Sequence, residues 1–152
     1  MGNGVKMRCP KCGHEFSRME GIGMLFPMVY EETVQKAKVG ELGKELKLFF
    51  EKNPHGALNV EQVTLCCDQC GKLSSDKDLT MYISKNSKDP HGSDNDTYIF
   101  EEELKRDYLE VMKYPHKCGK CGGDMHRVNS GEILKCPECK VKMEEVTKIC
   151  WD

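Results

Sequence analysis

The sequence predicts an α+β protein with two small β units, in which the first unit carries a helical insertion and a loop and a helix lead to the second. Two observations predict this class. The pair Cys-x-x-Cys occurs four times in 152 residues, and segments of helical and strand periodicity lie between the pairs. The composition, 38% hydrophobic and 32% charged, is lean for a self-supporting core. Units with thin cores usually need a metal, disulfides or a partner.

The cysteine pairs cannot be accidental. The chain has ten cysteines, and a random distribution over this length would give about 0.6 such pairs. The four pairs are Cys9/Cys12, Cys67/Cys70, Cys118/Cys121 and Cys136/Cys139. Two cysteines in a tight turn can place both sulfurs about 2.3 Å from one ion, and a second turn completes a tetrahedron. The sequence therefore predicts two metal sites.

Spacing along the chain predicts which pairs share an ion. Only residues 122–135 separate the last two pairs, a spacing typical of a compact four-cysteine zinc site. Residues 13–66 separate the first two pairs, so a folded insertion is expected there. We therefore expect two Zn²⁺ ions, each bound by two pairs that are consecutive along the chain. The first set is Cys9, Cys12, Cys67 and Cys70, and the second is Cys118, Cys121, Cys136 and Cys139.

Two amphipathic helices are predicted in the first insertion, at about residues 20–56. Gly40 and Gly43 indicate a break between them, and Asn53 before Pro54 ends the second helix. Apolar side chains recur at helical spacing. They are Tyr30, Val34 and Ala37 in the first helix and Leu42, Leu46, Phe49 and Phe50 in the second.

Strands are predicted at residues 57–67 and 79–84, where β-branched and apolar residues are concentrated. Residues 85–97 contain no apolar side chain and many turn formers, which predicts a flexible polar loop. A helix follows at 101–114 and ends at Pro115, because Leu104, Tyr108, Val111 and Met112 recur at i, i+4, i+7 and i+8. A ribbon around the last pair, with its turn at 129–131, completes the chain. The predicted domains are 1–84, with the insertion, and 98–152.

The quoted segments "CPKCG", "CDQCG", "CGKCG" and "CPEC" resemble the zinc-ribbon class of rubredoxin-like knuckle domains. As a tandem pair with inserts, the chain also resembles uncharacterised bacterial double-ribbon proteins. The resemblance implies metal-stabilised β-ribbons but no particular activity. Glycine follows three of the four pairs and allows positive φ there. Lys140 takes this place after the fourth pair, so the sequence does not predict the conformation of that turn.

Other interpretations of the cysteines remain open. Disulfides suit secreted proteins, and the N-terminal residues have no apolar stretch of the signal-peptide kind. A thioredoxin-like dithiol requires one such pair at a helix start, not four matched pairs. Iron suits four thiolates as well as zinc does. Adjacent Cys66 could replace Cys67 as a ligand, although spacing favours Cys67, and Cys150 is expected to be buried beside Trp151.

Histidines near the pairs are a further set of conceivable ligands. A histidine in such a position is more often a surface residue or one that supports a ligand, and eight matched cysteines need none of them. The three are His14, His116 and His126.

Composition and motifs narrow the functional classes. The net charge of −2 is unlike the positive charge typical of nucleic-acid binders, so we expect another protein as partner, with nucleic acid as the alternative. No apolar run is long enough for a membrane span, and a cytoplasmic protein is expected. No catalytic motif was found, and four cysteines leave a metal no open position. The sequence therefore predicts a non-enzymatic binding or adaptor module.

The segment "GIGMLFPMVY" at residues 21–30 is the most apolar stretch of the chain and is rich in methionine. Such a segment could be an adaptable docking surface for a protein. The preferred interpretation is that it packs between the first ribbon and the inserted helices, because the small core needs apolar residues.

Overall fold

The structure is a computed structural model of the chain, and it describes residues 2–85 and 98–152. These residues form three helices and nine strands in small antiparallel sheets, which confirms the α+β class. The strands, in chain order, are β1 Gly2–Arg8, β2 Glu15–Glu20, β3 Ala57–Leu58, β4 Gln62–Cys67, β5 Leu73–Lys77, β6 Met81–Ser84, β7 Tyr108–Met112, β8 Met125–Arg127 and β9 Glu144–Trp151. The helices are α1 Phe26–Val39, α2 Lys44–Lys52 and α3 Glu101–Asp107.

The chain folds into two compact units, and each unit is assembled from segments that are separate in sequence. Unit 1 comprises Met1–Met24, Gln62–Asp76 and Pro115–Asp152, and unit 2 comprises Leu25–Glu61 and Lys77–Tyr114. The predicted ranges 1–84 and 98–152 instead followed the order of the chain. Apart from Lys85, the predicted polar loop at 85–97 lies outside the described residues.

Unit 1 contains two three-stranded sheets, with strand orders β2-β1-β9 and β5-β4-β8. Strand β1 pairs antiparallel with β2 on one side and with β9 on the other, so that Gly4 lies opposite both Met19 and Ile149. The first and last strands of the chain are therefore neighbours. Strand β8 pairs antiparallel with β4.

A small apolar core holds unit 1 together. It consists of Met7, Cys9, Leu73, Val128, Leu134, Cys136 and Met143, all of which are buried. Two of these seven residues are cysteines from the predicted metal-binding pairs. Two of the four cysteine pairs therefore contribute side chains to this core.

The two inserted helices lie in unit 2 and confirm the sequence prediction. Helix α1 ends where Gly40 adopts φ +90°, and α2 begins after Gly43 at φ +107°. Asn53 caps the end of α2 through its backbone N–H, which donates to the Phe49 carbonyl. The helices bury the predicted apolar residues Tyr30, Ala37, Leu46, Phe49 and Phe50.

Unit 2 also contains a sheet with strand order β3-β6-β7. Its strands come from both sides of the second cysteine pair, since β3 precedes this pair and β6 and β7 follow it. The side chains of Leu46, Leu58, Met81 and Leu104 are almost completely inaccessible to solvent. Phe26 stacks on Phe100 with ring centroids 5.6 Å apart. Unit 2 thus has an apolar core of the ordinary kind.

The predicted helix at 101–114 is wrong in its second half. Helix α3 ends at Asp107, and residues 108–112 form strand β7, which pairs with β6. Of the four residues that suggested the helix, Leu104 is buried, whereas Val111 and Met112 are exposed. The backbone groups of residues 108–112 form hydrogen bonds with β6, which requires an extended conformation. This tertiary pairing outweighs the helical spacing of the apolar side chains.

The predicted C-terminal ribbon is also different in the structure. Strand β8 pairs with β4, and β9 pairs with β1, so neither is the partner of the other. The predicted turn is present, because the Glu132 N–H donates to the Asn129 carbonyl at 3.0 Å.

Candidate metal centre

Each Cys-x-x-Cys pair forms the same five-residue turn, which we call a knuckle. Knuckle 1 is 9–13, knuckle 2 is 67–71, knuckle 3 is 118–122 and knuckle 4 is 136–140. In every knuckle the N–H of the fifth residue donates to the carbonyl of the first cysteine, at 2.9 to 3.1 Å. The N–H of that cysteine donates to the carbonyl that follows the knuckle, at 2.8 to 2.9 Å. The repeated sequence pattern therefore produces a repeated local structure.

The fifth residue of each knuckle lies in the left-handed region of φ. Gly13, Gly71 and Gly122 have φ of +77°, +75° and +74°. Lys140 has φ +60°, which a non-glycine residue adopts only at a cost. Knuckle 4 therefore closes in the same way as the others, despite the missing glycine.

The eight cysteines gather into two groups of four, but the predicted assignment of pairs to groups is wrong. Site 1 consists of knuckles 1 and 4, and site 2 consists of knuckles 2 and 3. Their members are Cys9, Cys12, Cys136 and Cys139 in site 1 and Cys67, Cys70, Cys118 and Cys121 in site 2. Site 2 is thus nested within site 1 along the chain. The role of the eight side chains as ligands remains a prediction.

Strand pairing is the physical reason for this nested arrangement. Knuckle 1 follows β1 and knuckle 4 precedes β9, and these two strands pair. Knuckle 2 follows β4 and knuckle 3 precedes β8, which also pair. Short separation along the chain favours knuckles 3 and 4 as partners, but strands β8 and β9 belong to different sheets. Sheet topology therefore decides which thiols meet.

The sulfur positions suit a tetrahedral ion. Within each site all four Sγ atoms lie within 4.8 Å of one another. The Sγ–Sγ distances are 3.6 Å for Cys12–Cys136, 3.4 Å for Cys67–Cys121 and 3.6 Å for Cys70–Cys118. A regular tetrahedron with metal–sulfur bonds of about 2.3 Å has edges of about 3.8 Å.

Within each knuckle the first cysteine is buried and the second is more accessible. Cys9, Cys67, Cys118 and Cys136 are buried, whereas Cys12 and Cys121 are exposed. Backbone N–H groups point at the buried sulfurs. In site 2, Gln69 and Cys70 donate to Cys67 Sγ at 3.4 Å, and Lys120 donates to Cys118 Sγ at 3.4 Å. Such bonds stabilise thiolates and orient them.

The thiol acidities show how charge is distributed in the two groups. Backbone hydrogen bonds from Cys12 and Lys11 lower the pKa of Cys9 to about 7. Equivalent bonds from Cys70 and Gln69 lower the pKa of Cys67 to about 6. Interaction with Cys12 raises the pKa of Cys139 to about 12. Within site 1 the Cys9 thiol is thus the more acidic and Cys139 the less, and a cation among the sulfurs would favour ionisation of both.

The donor set fits a metal ion held by four thiolates. Zinc and iron both accept this set, and either would have its first coordination shell closed by protein sulfur. A closed shell leaves no position for water or substrate. The arrangement therefore suits a structural role, in which the ion joins two sheet-borne turns.

The other candidate ligands lie outside both groups. His126 Nδ1 lies 2.6 Å from Asp68, and its Nε2 lies 3.1 Å from Glu132. Both carboxylates raise the pKa of His126, Glu132 more strongly than Asp68. His14 and His116 belong to neither group. These histidines are thus not needed for two four-sulfur sites.

The two remaining cysteines also lie outside the groups. Cys66 is half-buried at the edge of the unit 1 core, and burial raises the pKa of its thiol. Cys67, rather than Cys66, belongs to site 2, as spacing predicted. The expectation that Cys150 is buried is wrong, because this side chain is exposed on edge strand β9.

Two further findings concern membrane-spanning helices and similarity to known proteins. Among the described residues, no helix has the length and apolar character required to cross a membrane. The chain matches no protein-family model, no curated protein and no solved structure. The two four-cysteine groups are therefore the feature of the described residues that indicates a function.

Proposed function

We propose that this protein binds two zinc ions at structural four-cysteine sites of zinc-ribbon type and acts as a binding or adaptor module for another protein. The observation that carries the metal part is the gathering of eight cysteines, from four repeated knuckles, into two groups of tetrahedral dimensions. Zinc is the usual ion in closed sites with four cysteines. Iron, as in a rubredoxin-like electron carrier, is the alternative ion for the same sulfurs.

Metal content and colour test the ion. Protein purified from cells grown with both metals should contain two zinc ions per chain and show no visible absorption. Intense visible bands and stoichiometric iron would support the electron-carrier alternative. Protein that contains neither metal, and binds neither after reduction of its thiols, would contradict the proposal.

Thiol protection tests the nested arrangement directly. In a Cys9→Ser/Cys12→Ser variant, site 1 loses half of its ligands. Limited alkylation followed by mass spectrometry should then modify Cys136 and Cys139 and leave Cys67 and Cys70 protected. Sites built from consecutive pairs would give the opposite pattern. A Cys118→Ser/Cys121→Ser variant is the matched control and should expose Cys67 and Cys70 instead.

The protein-partner part of the proposal is supported by side chains at the start of α1. The apolar segment 21–30 divides in two: Phe26 and Tyr30 are buried, whereas Met24, Leu25 and Met28 are 74%, 60% and 67% exposed. Methionine-rich apolar surfaces adapt to protein partners. The segment is therefore buried only in part, and its three exposed side chains support a docking surface.

Affinity capture tests this part of the proposal. Zinc-loaded protein should retain a defined set of partner proteins from lysate of its host after nuclease treatment. A Leu25→Gln/Met28→Gln variant should lose that set. A Leu48→Gln variant, which changes a 50%-exposed leucine on α2, is the control and should keep it. Retention of nucleic acid and no protein, in a parallel capture from lysate without nuclease treatment, would contradict the proposed partner class.

A further inference from the structure

We propose that Lys140 is a positioning residue that couples the two metal sites, so that an ion in site 1 increases the affinity of site 2. This inference rests on the proposed metal binding and goes one step beyond it. Lys140 closes knuckle 4, which belongs to site 1, while its side chain reaches a knuckle of site 2.

The four knuckles provide an internal comparison for Lys140. Three of them place glycine at the fifth position, with φ near +75°, whereas knuckle 4 places lysine there at φ +60°. Glycine at this position would close the turn without steric cost. Strain of this kind commonly persists where the side chain has a task that glycine could not perform.

The contact made by the lysine ammonium indicates that task. Its Nζ donates to the carbonyl of Cys70 at 3.0 Å. The neighbouring Gly71 leaves room for this approach, since a Cβ added there would lie 3.1 Å from Lys140 Nζ. The ammonium therefore binds the backbone of knuckle 2 between a cysteine of site 2 and its turn glycine.

A second contact connects the same turn to the other half of site 2. Glu138 in knuckle 4 lies 3.9 Å from the ammonium of Lys120 in knuckle 3. Knuckle 4 thus contacts both knuckles of site 2, although it supplies no thiol to that site. Of these two contacts, the Lys140 bond is the shorter.

Electrostatics determines the sign of the coupling, which is positive. Four thiolates around a divalent ion carry a net charge of −2, and an ammonium beside such a site stabilises its loaded form. When site 1 binds its ion, knuckle 4 is fixed and holds the ammonium at Cys70. An empty site 1 leaves knuckle 4 free to move away. By linkage, loading of site 2 must favour loading of site 1 by the same factor.

Site-resolved ¹¹³Cd NMR, with chelator competition, tests this coupling. Four variants are compared with the wild type. Lys140→Met removes the ammonium but keeps the backbone strain, Lys140→Gly removes both, and Lys140→Arg keeps the charge. Lys142→Ala removes a nearby exposed lysine and is the control. Loss of one resonance in Cys12→Ser and of the other in Cys121→Ser assigns the two signals.

The expected result is a selective effect on site 2. Lys140→Met should weaken site 2 by about threefold to tenfold, because one exposed charge contact is lost. Site 1, measured with site 2 empty, should change less, and there Lys140→Gly should bind at least as tightly because its turn is unstrained. Lys140→Arg should restore site 2, and Lys142→Ala should leave both sites as in the wild type.

Two outcomes in the single variants would overturn the coupling while the proposed metal binding stands. One is unchanged site 2 affinity in Lys140→Met and Lys140→Gly, with both cadmium resonances present. The other is an equal loss in Lys142→Ala, which would indicate general charge rather than the Cys70 contact. In a Cys9→Ser/Cys12→Ser background the Lys140→Met effect should also shrink, and an undiminished effect would contradict coupling through site 1. Absence of both resonances would instead refute the proposed function itself.

Discussion

The two units are stabilised in different ways. Unit 2 buries large side chains, such as Leu46, Leu58 and Leu104, from helices and strands. Unit 1 contains a small apolar core to which Cys9 and Cys136 contribute, and both four-cysteine groups lie within this unit. A chain with lean apolar content can thus concentrate its large buried side chains in one unit, while the proposed metal ions would support the other.

Removal of the metal is expected to have the largest effect, and to affect the two units unequally. Binding at a site of this kind is worth on the order of 10 kcal/mol, comparable with the whole stability of a domain. Hydrogen exchange after chelation should show loss of protection in β1, β4 and β9, while α1 and α2 keep most of theirs. Equal loss in both units would show that unit 2 also depends on the metal.

The next prediction concerns unit 2, in which a buried core side chain is shortened. Leu46 is fully buried on α2, and Leu46→Ala should reduce the stability of unit 2 by about 2–5 kcal/mol. Thermal or denaturant unfolding followed by helical circular dichroism measures this loss. Leu48→Ala on the same helix changes an exposed side chain and is the control. Metal release at the same midpoint as the loss of helix would contradict separate stabilisation.

Two buried threonines, one in each unit, allow the stabilities of the two units to be compared through smaller effects. Thr64 in β4 is fully buried, and its hydroxyl has no hydrogen-bond partner among the described residues. Thr33 in α1 is also buried, but its hydroxyl donates to the Val29 carbonyl at 2.6 Å. Thr64→Val should stabilise unit 1 by about 1 kcal/mol, because it removes an unpaired buried group.

The control substitution in α1 should change the stability in the opposite direction. Thr33→Val should destabilise unit 2 by about 0.5–1.5 kcal/mol, since a made hydrogen bond is lost. Denaturant midpoints of the metal-loaded variants measure both changes. Destabilisation by Thr64→Val would show that its hydroxyl has a partner, such as an ordered water.

The smallest expected effect concerns pH. Glu132 and, to a smaller extent, Asp68 raise the pKa of His126 above its ordinary value near 6.5. The stabilisation from this ion pair is therefore complete below that value and is lost as pH rises through the raised pKa of the folded state. Because the His126 side chain is 42% exposed, the effect should be below about 1 kcal/mol.

Comparison of the wild type with His126→Gln at pH 6 and pH 8 measures this contribution. The wild type should be the more stable at pH 6, and the difference should be smaller at pH 8. A difference that grows with pH would show that neutral His126 is the form that stabilises the fold. The pH dependence of metal binding by the thiols is common to both proteins and cancels in the difference.

Local structure was predictable where the determining contacts are close in sequence. The two helices were predicted with their break, because Gly40 and Gly43 adopt the positive φ that glycine permits. The four turns follow from the Cys-x-x-Cys repeat itself. Val111 and Met112 show where this fails: their helical spacing is real, but pairing with β6 places them in a strand.

From the amino-acid sequence alone follow the four turns of one design and the gathering of their eight cysteines into two four-sulfur groups. Which turns meet was decided by the tertiary structure, because spacing along the chain carries no information about the pairing of β1 with β9 or of β4 with β8. The same holds for Lys140, whose contact with Cys70 joins residues far apart in sequence. Turn geometry depends on neighbours in the chain, whereas the choice of a partner for a turn depends on the sheets that carry it.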